Sequence, residues 1–271
     1  MQELPPKSPK AFRLVFIGDI VGKPGMQAVC SMVEELRTQG GDFLIANAEN
    51  AADGTGLLVK QYDQLVAAGI DAITLGDHIY KKREIQDVLM KRSNIVKPAN
   101  FPAKAPGKTY CVVQSRDGVS VAVVSLMGRV FMRPVNCPFE AIDRVLEEIP
   151  SDVKIRFVDL HAEATSDKQA MGWYLDGRVS AVLGTHTHVP TADEQILPLG
   201  TAFQCDVGMT GAYRSILGRD IKPVLRTTTT FDPNTFHVAT EDVRLSATWV
   251  DIDPETGCSM AIGRLQWPYV G

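Results

Sequence analysis

The clearest fold signal in the chain is RLVFIGDIVGKPGMQAVCSMVEELRT, residues 13–38. Its residues 14–17 form a continuous apolar run of strand length, as expected for a strand that is buried on both faces. Residues 26–38 carry apolar side chains at helical spacing, after a proline that suits a helix start. Gly18-Asp19 lies between the two parts. The stretch therefore predicts a buried strand that is followed closely by a helix.

The same alternation continues along most of the chain. Further apolar runs of strand length lie at residues 43–46, 72–75, 119–126, 155–160, 179–183 and 201–205. Helical patterns lie between them at residues 60–68, 82–90, 139–149 and 166–175. Alternating strands and helices indicate an α/β layered fold.

The last part of the chain has a different pattern. Residues 222–268 are rich in threonine and alternate in polarity, with strand-like segments at 225–231, 243–252 and 260–267. Turn sequences separate these segments, which favours antiparallel strands. We interpret them as an extension of one domain over residues 12–271, with a separate lobe as the alternative. Residues 1–11 are polar and proline-rich and are expected to form a flexible tail.

Composition excludes several classes of function. The chain has 271 residues, of which 45% are apolar and 22% charged, and a net charge of -4, which does not favour binding to duplex nucleic acid. Its five cysteines are scattered, and it has neither a secretory signal pattern nor an apolar run long enough to span a membrane. We therefore expect a cytoplasmic protein that does not bind a membrane. The sequence leaves open whether the chain forms a homo-oligomer.

Five of the apolar runs are followed directly by side chains that can bind metals. In chain order these side chains are Asp19, then Glu49 and Asn50, then Asp77 and His78, then His161, and finally His186 and His188. In open α/β sheets, ligands bind at the carboxyl ends of the strands. The pattern therefore predicts that these side chains converge on one metal site.

The histidines strengthen this prediction. The chain has five, and only His237 lies outside the strand-end motifs. Imidazole and carboxylate together suit Mn, Fe or Zn better than Ca. Taken singly, each residue has a simpler interpretation: Asp19 as a turn or cap residue, Asn50 as a turn former, His161 as a hydrogen-bonded core histidine. The joint pattern favours the metal site.

The motifs GDIVG (18–22), NAEN (47–50), GDH (76–78), DLHAEATS (159–166) and GTHTHVPTAD (184–193) resemble, in order and spacing, those of calcineurin-like metallophosphoesterases. Within that superfamily they are similar to the bacterial YmdB-like branch, over residues 13–227. The resemblance implies a four-layer α/β/β/α sandwich of two mixed sheets. It also implies a phosphodiesterase that hydrolyses small cyclic nucleotides, 2′,3′- or 3′,5′-cyclic, through a hydroxide activated by two metals.

The resemblance also implies a role for each residue of the site. The first metal would be held by Asp19, Glu49, Asn50 and His188, with Glu49 bridging to the second, and the second by Asp77, His161 and His186. His78 would be the general acid. The metals implied are iron or manganese, with zinc or magnesium as alternatives.

Two positions depart from the superfamily pattern. The usual Asp-x-His motif is Asp19-Ile20-Val21 here, as in the YmdB-like branch, and Asn50 is expected to take the place of the missing histidine. The usual Gly-Asn-His motif is Gly76-Asp77-His78, so a carboxylate replaces a neutral amide. That replacement makes the site more anionic.

Weaker signals suggest contacts to the substrate, a small phosphoester or nucleotide. The side chains proposed for this role are Arg129, Asn100, Phe101, Met209, Thr210 and Tyr213. Glu163 is expected either to orient His161 or to cap the following helix. Two other functions remain open at this point: a phosphomonoesterase acting on nucleotides or phosphoproteins, and a nucleotide sensor with slow turnover.

Overall fold

The computed structural model describes residues 3–271. Strands come first in the chain and recur throughout it: β1 (Phe12–Ile17), β2 (Asp19–Ile20), β3 (Phe43–Asn47), β4 (Ala72–Thr74), β5 (Tyr110–Gln114), β6 (Ser120–Met127), β7 (Ile155–His161), β8 (Ala181–Thr185), β9 (Gln195–Ile196), β10 (Ala202–Gln204), β11 (Met209–Ala212), β12 (Val243–Ile252) and β13 (Ser259–Pro268). The helices between them are α1 (Gly22–Thr38), α2 (Val59–Ala68), α3 (Ile85–Lys91), α4 (Pro138–Glu148), α5 (Thr165–Tyr174) and α6 (Ile221–Thr230).

The strands form two mixed sheets. The first has the order β2-β11-β12-β1-β3-β4, with β13 also paired to β12. The second has the order β5-β6-β7-β8-β10-β9. Strands β1, β3 and β4 are parallel neighbours in the first sheet, and β6, β7 and β8 are parallel neighbours in the second. Each sheet therefore has a central region whose carboxyl ends share one edge.

Alternate side chains of each sheet pack into different layers, as the two-residue period of a strand requires. In β1, Leu14 and Phe16 belong to an apolar cluster that also contains Val121 and Phe157 of the second sheet. The neighbouring Val15 packs instead in a cluster with the helices α1, α2 and α3. Helices α4 and α5 cover the outer face of the second sheet. The predicted four-layer α/β/β/α sandwich is confirmed.

The C-terminal strands belong to the first sheet. Strand β12 pairs antiparallel with the whole length of β1, from Phe12 opposite Ile252 to Ile17 opposite Ala247, and β13 pairs with β12. Because β1 lies at the centre of that sheet, residues 243–268 complete the layer that carries part of the candidate site.

The predicted strand at residues 225–231 is wrong, because this segment lies in helix α6. Its threonines would favour a strand, but the hydroxyls of Thr228, Thr229 and Thr230 each donate to the carbonyl four residues earlier, at 2.7–2.9 Å. Bonds of this kind are satisfied within a helix. Phe231 then ends the helix in a left-handed conformation.

The described part of the N-terminal segment lies against the domain. Leu4 is buried, its backbone N–H donates to Gln39, and the Lys7 ammonium pairs with Asp42. Residues 1 and 2, which belong to the predicted tail, lie outside the described residues. None of the helices between residues 3 and 271 is long and apolar enough to cross a bilayer.

Candidate metal centre

The side chains predicted from the strand ends come from both sheets. Asp19 follows β1, Glu49 and Asn50 follow β3, and Asp77 and His78 follow β4, all in the first sheet. The second sheet supplies His161 from the last position of β7, and His186 and His188 from the loop after β8. The parallel strands of each sheet end at one common edge, where these residues lie together.

Four of these residues form a close group: Glu49, Asp77, His161 and His186. The His161 Nε2 atom lies 3.1 Å from Glu49 Oε1 and 3.2 Å from Asp77 Oδ1. The His186 Nδ1 atom lies 3.0 Å from that same His161 nitrogen and 3.7 Å from Asp77 Oδ1. Ligand atoms that each bind one cation at about 2.0–2.2 Å are separated from one another by distances like those between these four side chains.

Each of the three histidines also has its second ring nitrogen held by an acceptor. His161 Nδ1 lies 2.9 Å from the Thr185 hydroxyl, His186 Nε2 lies 3.1 Å from Glu163 Oε2, and His188 Nδ1 lies 3.2 Å from the carbonyl of Leu217. A carbonyl can only accept, so His188 donates through Nδ1, whereas Glu163 lies at ion-pair distance from His186 Nε2. In neutral rings held this way, the nitrogen that faces the carboxylates carries the lone pair that metal ligation requires.

The tautomer of His161 is set by a chain of buried hydrogen bonds. The single hydroxyl proton of Thr185 goes to Asp159 Oδ1, at 2.7 Å, so the Thr185 oxygen accepts from His161 Nδ1. Asp159 is fully buried and also accepts from Thr74, at 2.6 Å, and from Asn47, at 3.0 Å. This network joins strands β3 and β4 of one sheet to β7 and β8 of the other, and it fixes the direction of the His161 ring.

Asp19, Asn50 and His188 form a second group beside the first. The Asn50 amide nitrogen lies 3.2 Å from Glu49 Oε1, 3.2 Å from His188 Nε2 and 3.4 Å from Asp19 Oδ1. Asn50 Oδ1 lies 2.7 Å from His78 Nδ1. The two ends of an amide are assigned from the hydrogen-bond network. Ligation through the Asn50 oxygen requires the amide to turn over, which places its NH2 group against His78 Nδ1.

The loop that carries His186 and His188 has an unusual backbone. Both residues are left-handed, with φ of 97° and 66°. A positive φ costs conformational free energy in any residue other than glycine, and it persists where the surrounding structure holds the backbone in place. Asp206 supplies that restraint, because its Oδ2 accepts from the Thr187 backbone N–H at 3.0 Å and from the Thr187 hydroxyl at 2.8 Å. Buried Lys168 neutralises Asp206 at 2.7 Å.

The ionisable groups of the cluster shift one another's pKa. Burial opposes protonation of His161, but Glu49 and Asp77 outweigh burial and hold the pKa of His161 well above its usual range. Burial and the neighbouring His161 lower the pKa of His186 to about 4. Burial raises the pKa of Asp19 to about 6, an effect that His188 and His161 partly offset. A proton on His161 thus supplies positive charge that the buried carboxylates need, and a cation can supply the same charge.

These observations fit a metal centre. The donor set combines imidazole nitrogens and carboxylate oxygens, converges from two sheets, and has its histidine tautomers fixed from outside. No role in the site was predicted from the sequence for Asp159, Lys168, Thr185 or Asp206. Asp159 stands two residues before His161 in a strand, so its side chain shares a face with the ligand, which was the available signal.

The proposed general acid His78 lies at the rim of the cluster. Its backbone N–H donates to Glu49 Oε2 at 2.9 Å, and its side chain is 30% exposed. The Nε2 atom of His78 lies 3.8 Å from Asp77 Oδ2. Glu163 was expected either to orient His161 or to cap the following helix; its Oε2 lies 3.1 Å from His186 Nε2, and helix α5 has no side-chain cap.

The residues predicted as substrate contacts lie in different environments. Asn100 is fully buried, and its amide bonds to the backbone of Met127 and Asn136, so no polar atom of its side chain is free. Phe101 is buried against Tyr80. Substrate contact by these two residues therefore has no support from the geometry.

The other predicted contacts also differ in exposure. Met209 and Thr210 are buried, and the Thr210 hydroxyl bonds to the backbone of Ser246. The Tyr213 hydroxyl donates to the carbonyl of Met209 at 3.1 Å. Arg129 is exposed, follows the carboxyl end of β6, and has a backbone N–H that donates to Asp167. Arg129 is the residue in this set whose side chain is free to meet a substrate.

Comparison with known proteins gives a consistent result. The model of the YmdB-like protein family matches residues 15–265. A 2′,3′-cyclic-nucleotide 2′-phosphodiesterase of Bacillus subtilis (strain 168) is 46% identical over 254 residues, which are 93% of this chain and 96% of that protein.

Solved structures agree with the family match. A hypothetical protein from Thermus thermophilus superposes with a TM-score of 0.88 at 43% identity, over 95% of this chain and 99% of that one. A phosphatase from Mycoplasma pneumoniae superposes with a TM-score of 0.87 at 28% identity, over 95% of this chain and 94% of that one. The predictions of a metallophosphoesterase fold and of a phosphoester hydrolase are confirmed. The chain therefore belongs to the YmdB-like protein family.

Proposed function

We propose that this metal-dependent phosphoesterase hydrolyses small cyclic nucleotides, with the 2′,3′-cyclic esters as its preferred substrates. The observation that carries the proposal is that His161, His186 and His188 each turn one ring nitrogen toward the carboxylates of the centre, while the other nitrogen lies 2.9–3.2 Å from an oxygen outside it. This arrangement is not expected in a core that serves stability alone, because burying charged groups costs free energy. The similarity to a 2′,3′-cyclic-nucleotide 2′-phosphodiesterase supports the choice of substrate.

Two groups of ligands would hold two cations. Asp19, Asn50 and His188 would hold the first, Asp77, His161 and His186 the second, and Glu49 would serve both, because its Oε1 approaches both Asn50 and His161. Mixed nitrogen and oxygen ligands favour iron or manganese, with zinc or magnesium as alternatives. When bound, such metals offset charge on a phosphate and lower the pKa of a water molecule.

His78 would protonate the leaving oxygen. Its ring is partly exposed, and its Nδ1 atom is engaged by Asn50. To act as an acid and end as a neutral imidazole, the ring would carry a proton on both nitrogens, with Nδ1–H donating to Asn50 Oδ1 at 2.7 Å and the proton to be transferred on Nε2. That atom lies on the side of Asp77, where it can reach a substrate held at the centre.

The remaining groups would position the substrate. Arg129 lies exposed on the same rim and could pair with a phosphate oxygen. The net charge of -4 favours a small substrate over a duplex nucleic acid. All five cysteines are free thiols, which supports a reducing compartment such as the cytoplasm.

The test is a direct comparison of substrates. We would purify the full chain, measure its bound metals by mass spectrometry, and assay 2′,3′-cyclic AMP, 3′,5′-cyclic AMP and an aryl phosphate monoester with added Mn²⁺. We expect metal-dependent turnover that is fastest on 2′,3′-cyclic AMP. Activity on the monoester alone would indicate a phosphomonoesterase, and bound metal without turnover would indicate a nucleotide sensor; either would contradict the proposal.

A pair of histidine variants provides the matched control. His161→Gln removes a proposed ligand and is expected to abolish metal binding at the second position and turnover with it. His237→Gln changes an exposed histidine outside the cluster and is expected to leave both unchanged. Equal loss in the two variants would indicate that activity does not depend on this centre.

A further inference from the structure

A cavity of about 710 Å³ opens beside β5, an edge strand of the second sheet. Its volume lies in the range of small-molecule sites, about 300–1,000 Å³. None of the seven proposed metal ligands lines it. Phe101, which follows the buried Asn100 in the segment between β4 and β5, forms part of its wall. The cavity is therefore distinct from the metal centre.

The cavity contains a buried cation with no counter-charge. Lys97 lines it with only 3% of its surface exposed, and its ammonium donates one hydrogen bond, to the carbonyl of Ala105 at 2.5 Å. An ammonium has three protons to donate, so two of them find no acceptor among residues 3–271. Burial lowers the pKa of Lys97, which reflects the cost of this position. A buried charge of this kind is usually paired, and an anionic ligand would pair it.

Two further cations line the same cavity. Lys108 precedes β5 and Arg144 lies on α4, and both are exposed. Within residues 3–271, no aspartate or glutamate lines the cavity, and none pairs with Lys97, Lys108 or Arg144. Three positive groups without a negative one give the cavity a local field that attracts anions, although the whole chain is negative.

The rest of the wall is suited to an apolar group. Phe101, Tyr110 and Val112 line the cavity, and Asn136 is among its polar lining residues. Aromatic and aliphatic walls with a few polar groups are typical of sites for small organic molecules. We propose that this cavity is a second binding site, for a small organic phosphate that carries an aromatic group, with Lys97 at the centre of its anion contacts.

The proposal is tested by locating and measuring the binding of adenosine 5′-monophosphate to the full protein with its metals in place. Hydrogen exchange of backbone amides would locate the ligand, and calorimetry would give its affinity. We expect protection in residues 97–112, with inorganic phosphate binding more weakly and adenosine, which lacks the charge, not protecting this segment. Protection confined to the metal centre, or equal protection by adenosine, would overturn the proposal.

Variants separate this site from the metal centre. Lys97→Met keeps the length of the side chain and removes the charge, and should weaken binding at the cavity by about tenfold or more, as for the loss of a charged hydrogen bond. Lys104→Met, an exposed lysine of the same segment outside the cavity, should leave binding unchanged. Unchanged affinity in Lys97→Met would overturn the proposal.

A further variant covers the case in which Lys97→Met fails to fold. The double variant Lys108→Met/Arg144→Met alters exposed residues only and should also weaken binding at the cavity. Because the readout is binding at residues 97–112, it does not depend on whether the protein cleaves cyclic nucleotides. Wild-type affinity in the double variant would overturn the proposal on its own.

Discussion

Replacing Thr185 with valine tests the buried network that orients His161. The substitution keeps the shape of the side chain but removes the hydroxyl that accepts from His161 Nδ1 at 2.9 Å and donates to Asp159 at 2.7 Å. Two buried hydrogen bonds contribute about 1–3 kcal/mol to the free energy of unfolding. Loss of an outer partner of a ligating histidine typically weakens metal binding by about ten- to hundredfold. We expect Thr185→Val to show both effects.

The assay is competition for Mn²⁺ against a fluorescent chelator, together with thermal unfolding of the metal-free protein. Thr201→Val is the matched control, because Thr201 is also fully buried but its hydroxyl bonds to the backbone, to the carbonyl of Val179 at 2.7 Å. It should lose comparable stability and no metal affinity. Thr185→Ser restores the hydroxyl and should recover binding.

Two results would contradict a role for the Thr185 hydroxyl in orienting His161. Wild-type Mn²⁺ affinity in folded Thr185→Val would show that the hydroxyl does not position His161. An equal loss of affinity in Thr201→Val would show that the loss follows from general destabilisation. Either result would mean that Asp159 and Thr185 do not position the metal ligand His161.

Three further predictions concern the centre itself. His78→Ala should slow cleavage of a ribose cyclic ester by about 10²–10⁴-fold and an activated aryl ester much less, because an alkoxide needs a proton to leave more than a phenolate does; equal losses in steady-state assays would contradict the role. Gly76→Ala should reduce the metal content measured by mass spectrometry, because a Cβ atom there would lie 2.2 Å from His161 Cδ2 and 2.5 Å from Glu49 Oε2; full metal content would contradict it. Because the raised pKa of His161 keeps its ring protonated at neutral pH, metal binding should release a proton, and apparent Mn²⁺ affinity should rise by up to about tenfold per pH unit. Calorimetry in buffers of different ionisation enthalpy measures that proton, and no release at pH 7 would contradict the prediction.

The alternation of strands and helices could be predicted from the sequence because it depends on the local spacing of apolar residues. The apolar run at residues 14–17 lies within β1, and the helical pattern at residues 26–38 lies within α1. A strand was wrongly predicted for the Thr-rich segment at 225–231, because the strand propensity of threonine is weaker evidence than the helix signals nearby. Asp220 before the helix and Pro223 in its first turn were those signals.

The candidate ligands were also accessible from sequence, since a strand end is a local feature and each motif follows one. Their outer partners were not. His188 donates to the carbonyl of Leu217, 29 residues later, and a backbone carbonyl carries no residue signature. Glu163 was expected to orient His161 or to cap the following helix, and its approach to His186 was not predicted, because residue spacing does not determine which side chain it meets in the fold.

The α/β alternation, the identity of the side chains at the strand ends and the family resemblance could all be predicted from sequence, because they depend on periodicity and order along the chain. How the two sheets face each other could not, and neither could the contacts of Asp159 with Thr74 and Asn47 across them. The same holds for the grouping of Lys97, Lys108 and Arg144 around one cavity that no acidic side chain of residues 3–271 lines. Such contacts join residues distant in sequence, and packing sets them because each buried polar group must find its partner in space.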